Sequence, residues 1–224
     1  YTTLFRSLTR AWSNRDSQKF NFLVNNALLI LLILVVPLII GGQILATPII
    51  KFIAGASFSA AGSILALLLV ALAGIFVGCL FNHLLIAVNQ QQVMVRPYLV
   101  VAITAIPAYY FLIRYFSYWG AAIVTVYSEL LIAILAGYKA KKMAHWHWPT
   151  ITSLKLLAAN LLMVIVIWPC RHWAGQSIIN LLAIILLGVV VYSLSLIGLK
   201  VINWSKLQVI FKPDNKNYET APHC

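Results

Sequence analysis

Of four acidic residues among 224, one, Glu129, lies near the middle of an apolar run, residues 119–137, that is long enough to cross a membrane. A carboxylate at that depth costs at least about 2.5 kcal/mol on insertion scales, so it is expected to face a bundle interior or a wet cavity. Thr125 and Ser128 fall within one helical turn of it, and Ala122 extends the same face, with Ile123, Leu130 and Ile134 opposite. Such a small, polar stripe suits a cavity wall or a tight helix seam. In a cavity, the carboxyl can take a proton or cation from one side and release it to the other while the hydroxyls bind a polar ligand. In a seam, a neighbouring helix holds the acid fixed.

The other polar groups near apolar runs are Asn82, His83, Arg114 and Lys51. Asn82 and His83 can hydrogen-bond to a neighbouring helix, worth about 0.6 kcal/mol on average, or contact a ligand. Arg114, at the end of its span, can attract an anion or snorkel as an anchor, and Lys51 is expected in a surface turn at the far face. Cys79, Cys170 and Cys224 lie too far apart for a redox pair or a metal site, and His145 and His147 diverge on a helix with no third ligand near. No cofactor is implied, and no enzyme motif is visible.

The elements that must carry these groups are membrane helices. With 62% hydrophobic residues, 9% charged residues and a mean hydropathy of +0.95, the chain cannot hide its apolar surface in a soluble core. The expected fold is an all-α polytopic membrane protein with six spans, at residues 20–45, 60–88, 97–113, 119–137, 151–168 and 178–199. Residues 1–21 form a basic loop or interfacial helix before the first span. Residues 46–59 read as an amphipathic surface turn, punctuated by Pro48 and Gly55, and 89–96 as a polar loop. Tyr109, Tyr110, Tyr115, Tyr118 and Trp119 fit an interfacial belt.

A net charge of +12 invites a nucleic-acid reading, but the basic residues are scattered between spans rather than gathered on one element. With the N-terminus inside, only Lys51, Arg114 and Arg171 of the sixteen Lys and Arg fall outside. That positive-inside bias predicts six spans with both ends cytoplasmic. Tyr1 in place of a start Met, with no signal peptide after it, reads as a piece of a longer polypeptide.

Taken in order, several motifs resemble the C-terminal half of a bacterial polysaccharide flippase. These are the O-antigen or capsule repeat-unit translocases of the multidrug/oligosaccharidyl-lipid/polysaccharide exporter superfamily. The motifs are Leu4-Phe-Arg-Ser-Leu-Thr-Arg10 with Asp16 to Phe20, Pro37, Pro48-Ile-Ile with Gly55 and Phe58, Asn82-His-Leu-Leu-Ile-Ala87 with Asn89, and Trp119-Gly-Ala-Ala122 with Thr125 and Glu129. The resemblance covers residues 4–142. The family's proline in the first cytoplasmic loop is absent, and the last two helices match no motif.

The resemblance implies two pseudo-symmetric lobes around a central cavity. Residues 22–142 would be the four-helix part of the second lobe, 143–200 two appended helices and 201–224 a cytoplasmic interfacial tail. It also implies movement of an undecaprenyl-pyrophosphate-linked oligosaccharide across the bacterial inner membrane by alternating access coupled to an ion gradient. Partners would be the lipid-linked oligosaccharide, membrane lipids, the missing N-terminal lobe, and a polysaccharide polymerase with its chain-length regulator. The alternatives are a drug exporter of the same superfamily or a membrane-embedded polymerase or acyltransferase. Along the substrate or ion path the available groups are Glu129, Arg114, Asn82, His83, Thr125, Ser128 and Lys51.

Overall fold

A computed structural model describes residues 2–144 and 150–201. Among these residues seven α-helices follow one another: α1 (Thr2–Ser13), α2 (Ser17–Ala54), α3 (Ala61–Ala87), α4 (Val95–Phe116), α5 (Tyr118–Ala144), α6 (Thr150–Ala174) and α7 (Ile178–Gly198). No strand occurs among the described residues. Helices α2 to α7 supply six segments long and apolar enough to cross a membrane. The chain is an all-α, multi-pass membrane protein.

The short α1 is amphipathic. Leu8 and Ala11 are buried against α2 and α3, while Arg6 and Arg10 are exposed. A tight turn separates it from α2, with Arg15 at φ 54, and the Asp16 carboxylate caps α2 by accepting from the Lys19 N–H at 2.9 Å. That bond satisfies one of the amides that a helix start leaves free.

Helix α2 is longer than its apolar run requires. It has 38 residues, or about 57 Å at 1.5 Å per residue, against a hydrocarbon core of about 30 Å. Residues 46–54, expected as a surface turn, continue it through Pro48. A proline removes a single N–H, and the backbone around Thr47 is held against α3: a Cβ on Gly62 would come within 2.6 Å of the Thr47 Cα. The stop comes later, at Gly55, whose φ of 96 suits glycine and whose N–H bonds Lys51 O. Lys51 is therefore helical and exposed near that end, not in a turn.

Other boundaries move outward for similar reasons. Residues 91–94 of the expected loop form a 3₁₀ turn that runs into α4, α5 continues past its lysines to Ala144, and α6 passes through Pro169 to Ala174. His145 to Pro149 and the tail from 202 onward lie outside the described residues.

The helices pack in sequence across the bundle as α4, α5, α3, α2, α6 and α7, each chiefly against its neighbours. One buried cluster joins α1, the first half of α2, the second half of α3 and Ala136 and Ala140 of α5. A second joins α2 to α6 and α7. Lys19, Arg96 and Lys139 fall at one end of the bundle, called here the basic end. Lys51, Arg114 and Arg171 fall at the other.

Candidate functional site

Glu129 lies where two helices come closest. Gly74, Gly78 and Phe81 of α3 face Glu129, Ala133 and Gly137 of α5, so the two helices run parallel with small residues at four-residue spacing on both. At Gly74 the contact is backbone to backbone: a Cβ there would sit 2.8 Å from the Glu129 carbonyl carbon and 2.9 Å from its oxygen. At Gly78 it would sit 3.6 Å from the Ala133 Cα, an ordinary contact. Helix spacing puts Ala122, Ala133, Ala136 and Ala140 on the same side of α5 as Glu129, and all four are buried. Ile123 and Ile134 point outward and are exposed.

The Glu129 side chain emerges beside this seam and is half-buried. It makes no hydrogen bond or ion pair among the described residues, and its oxygens are not among the sealed, unpartnered atoms, which belong to Asn21, Asn26 and Asn160. The carboxylate is thus neither held by a neighbouring helix nor closed off. It opens onto the strip of α5 that lies between its contacts with α3 and with α4.

That strip is walled at both ends by polar links. Toward the Arg114 end, the Tyr109 hydroxyl of α4 and the Thr125 hydroxyl of α5 lie 2.9 Å apart, and Thr125 Oγ1 donates to Ala121 O at 3.0 Å. Thr125 is four residues from Glu129, directly above it on the helix. Toward the basic end, Asn82 Nδ2 donates to the Tyr98 hydroxyl at 2.6 Å and ties α3 to α4. Asn82 lies two turns along α3 from Gly74, about 12 Å along the axis. Helices α3 and α4 both pack on α5 and little on each other, which leaves a cleft between them floored by α5, with the free carboxylate partway along it.

The remaining expected residues do not converge there. Ser128 Oγ turns back to Thr125 O at 3.0 Å and serves its own helix. His83 is exposed, and nine residues from Gly74 places it half a turn around α3, where Nδ1 donates to Cys79 O at 2.8 Å. Arg114 is exposed on α4, five residues from Tyr109 and so well around the helix from the face that meets α5, and Lys51 is exposed on α2. The anion-attracting cations and the carboxylate therefore lie on separate surfaces.

Two contributors carry little signal in the sequence. Tyr109, expected in the interfacial belt, is half-buried and bonded to α5, whereas Tyr110, Tyr115 and Tyr118 are exposed. Gly74 has no sequence signal of its own, although the Gly74-x-x-x-Gly78 spacing is the kind that lets membrane helices approach. A further pair, Tyr127 donating to Thr104 Oγ1 at 3.1 Å, ties α5 to α4 on the opposite flank.

As chemistry, the cleft offers one titratable acceptor and several hydroxyl and amide groups within a membrane-spanning bundle. Such a set can take up a proton or a small cation and can hydrogen-bond a hydroxylated ligand. No protein-family model and no curated protein matches this chain.

Proposed function

We propose that this chain is the later part of a bacterial flippase that carries undecaprenyl-pyrophosphate-linked oligosaccharide across the inner membrane by alternating access, with both of its ends cytoplasmic. In this reading the α3–α4–α5 cleft is one wall of the cavity, completed by the other lobe of the same polypeptide. Glu129 couples transport to an ion gradient or binds sugar hydroxyls, Thr125 and Asn82 line the path, and Arg114 and Lys51 meet the anionic head group at the far mouth. Polymerase and chain-length regulator would receive the product.

The observation that carries the proposal is the free, half-buried carboxylate. A structural acid would gain a donor on an adjacent helix, because an unpartnered charge in a membrane is costly. Glu129 has no such donor among the described residues, though Asn82, Thr125 and Ser128 all bond elsewhere nearby. An acid kept open to a cleft is suited to a visiting ligand.

The test compares Glu129→Gln with Glu129→Ala in the full-length protein, reading surface polysaccharide and accumulated lipid-linked repeat units at matched protein levels. Glu129→Gln keeps the shape and removes titration, so export is expected to fall and to lose its dependence on external pH. Normal export by Glu129→Gln across external pH, with Glu129→Ala failing to fold, would show the acid to be structural.

A further inference from the structure

Helix α2 has a flaw at Pro37 that its own backbone cannot mend. Proline has no N–H, so the carbonyl four residues earlier, Ile33 O, loses its ordinary helical donor. In a membrane such a freed carbonyl must be satisfied by a neighbour. The structure supplies one from far along the chain: the Tyr192 hydroxyl of α7 donates to Ile33 O at 2.9 Å. A side chain 159 residues away replaces the amide that Pro37 lacks.

The surroundings show that this contact is built. Gly41, one turn beyond Pro37, faces Met163 of α6, and Met163 and Ile167 in turn pack against Gly188 of α7. One turn back toward the basic end, the register of the three helices puts Asn160 and Tyr192 at the level of Pro37. Asn160 is 1% exposed and Tyr192 6%, so both polar groups are sealed from lipid and water. Asn160 Nδ2 donates to Leu156 O of its own helix at 2.8 Å, while its Oδ1 has no partner.

We infer that α6 and α7 form a latch on α2 at Pro37, in which the Tyr192 hydroxyl holds Ile33 O and so limits the bending of α2 there. Bending of α2 at Pro37 that draws Ile33 away from α7 breaks this bond and leaves both the carbonyl and the buried hydroxyl without it. The appended helices thereby become a brake on the bending of the helix that α3 packs against.

The latch can be read without any transport assay, so its failure is distinct from failure of the flippase reading. Spin labels are placed at Ile53 and Trp173, both exposed at the Arg171 end, with the native cysteines Cys79, Cys170 and Cys224 changed to alanine in the full chain in nanodiscs. Ile53 lies about 24 Å along the axis from Pro37, so a swing of about 20° moves its label by roughly 8 Å. The unlatched population is expected to rise about threefold in Tyr192→Phe, the change given by one average interhelical hydrogen bond in a membrane.

Pro37→Ala restores the missing N–H, so adding Tyr192→Phe to that variant is expected to leave the distance distribution unchanged. An equal rise with Tyr192→Phe in the Pro37→Ala background, or no rise with Pro37 in place, would overturn the latch. Circular dichroism on every variant verifies that the distances come from folded protein.

Discussion

Replacing Gly74 by alanine tests whether the position of Glu129 is set by a backbone contact. The added Cβ would lie 2.8 Å from the Glu129 carbonyl carbon, 2.9 Å from its oxygen and 3.0 Å from the Leu130 nitrogen. None of these is the tip of a side chain that can turn aside, so α3 and α5 must separate by roughly 0.6–1 Å to restore ordinary contact. A gap of that size forfeits a quarter to a half of the attraction along the seam, and overpacking of this kind costs about 1–3 kcal/mol. Gly78→Ala is the control one turn away. Its Cβ meets Ala133 at 3.6–3.8 Å with nothing displaced, and alanine favours the helix by about 0.8–1 kcal/mol over glycine. Both variants share that gain, so thermal unfolding in detergent followed by circular dichroism should place Gly74→Ala roughly 2–10 °C below Gly78→Ala, and Gly78→Ala at or above the parent. Equal midpoints for the two variants would refute the reasoning. So would rescue of Gly74→Ala by Glu129→Ala, since that would assign the clash to the side chain.

Two further outcomes are expected. Cysteines introduced at Lys51 and Arg171 should react with impermeant reagents only from outside the cell, because thirteen of the sixteen basic residues then stay on the inner side; reaction only from the cytoplasm would invert the bundle. If the chain is part of a flippase, Arg114→Gln should lower export at equal protein level while Arg114→Lys retains it, because a head-group contact needs the charge; equal export by both would leave Arg114 as an anchor of the helix end.

The spans are legible because lipid demands length and apolarity, and both are written locally in the sequence. Their ends are not. Pro48 and Pro169 look like stops, yet each removes one amide from a ladder that packing holds together on both sides. What ends α2 is a glycine with positive φ, and in sequence Gly55 looks no different from Gly41, Gly42 or Gly62, which lie within or pack against helices. Tyr109 is hidden for a related reason. Five aromatics near a span end look alike until the partner helix chooses one, and here Thr125 chooses Tyr109.

For the site, the sequence singles out Glu129 because a carboxylate in an apolar run is costly wherever it points. Whether the residue is held or free depends on what stands opposite, and that is a property of α3. Had position 74 carried a side chain, α3 would stand off from α5 and its atoms would cover the Glu129 backbone. With glycine there, the backbones touch, and the carboxylate must leave the seam sideways into the cleft that Thr125 and Tyr109 close at one end and Asn82 and Tyr98 at the other. The Gly74 contact and the free acid are therefore one feature. A shift of α3 along α5 would move the Glu129 surroundings directly, with no intervening side chain to absorb it. Helix α3 also packs on α2, whose carbonyl freed by Pro37 is bonded to α7, so a mechanical route from α7 to Glu129 runs through α2 and α3.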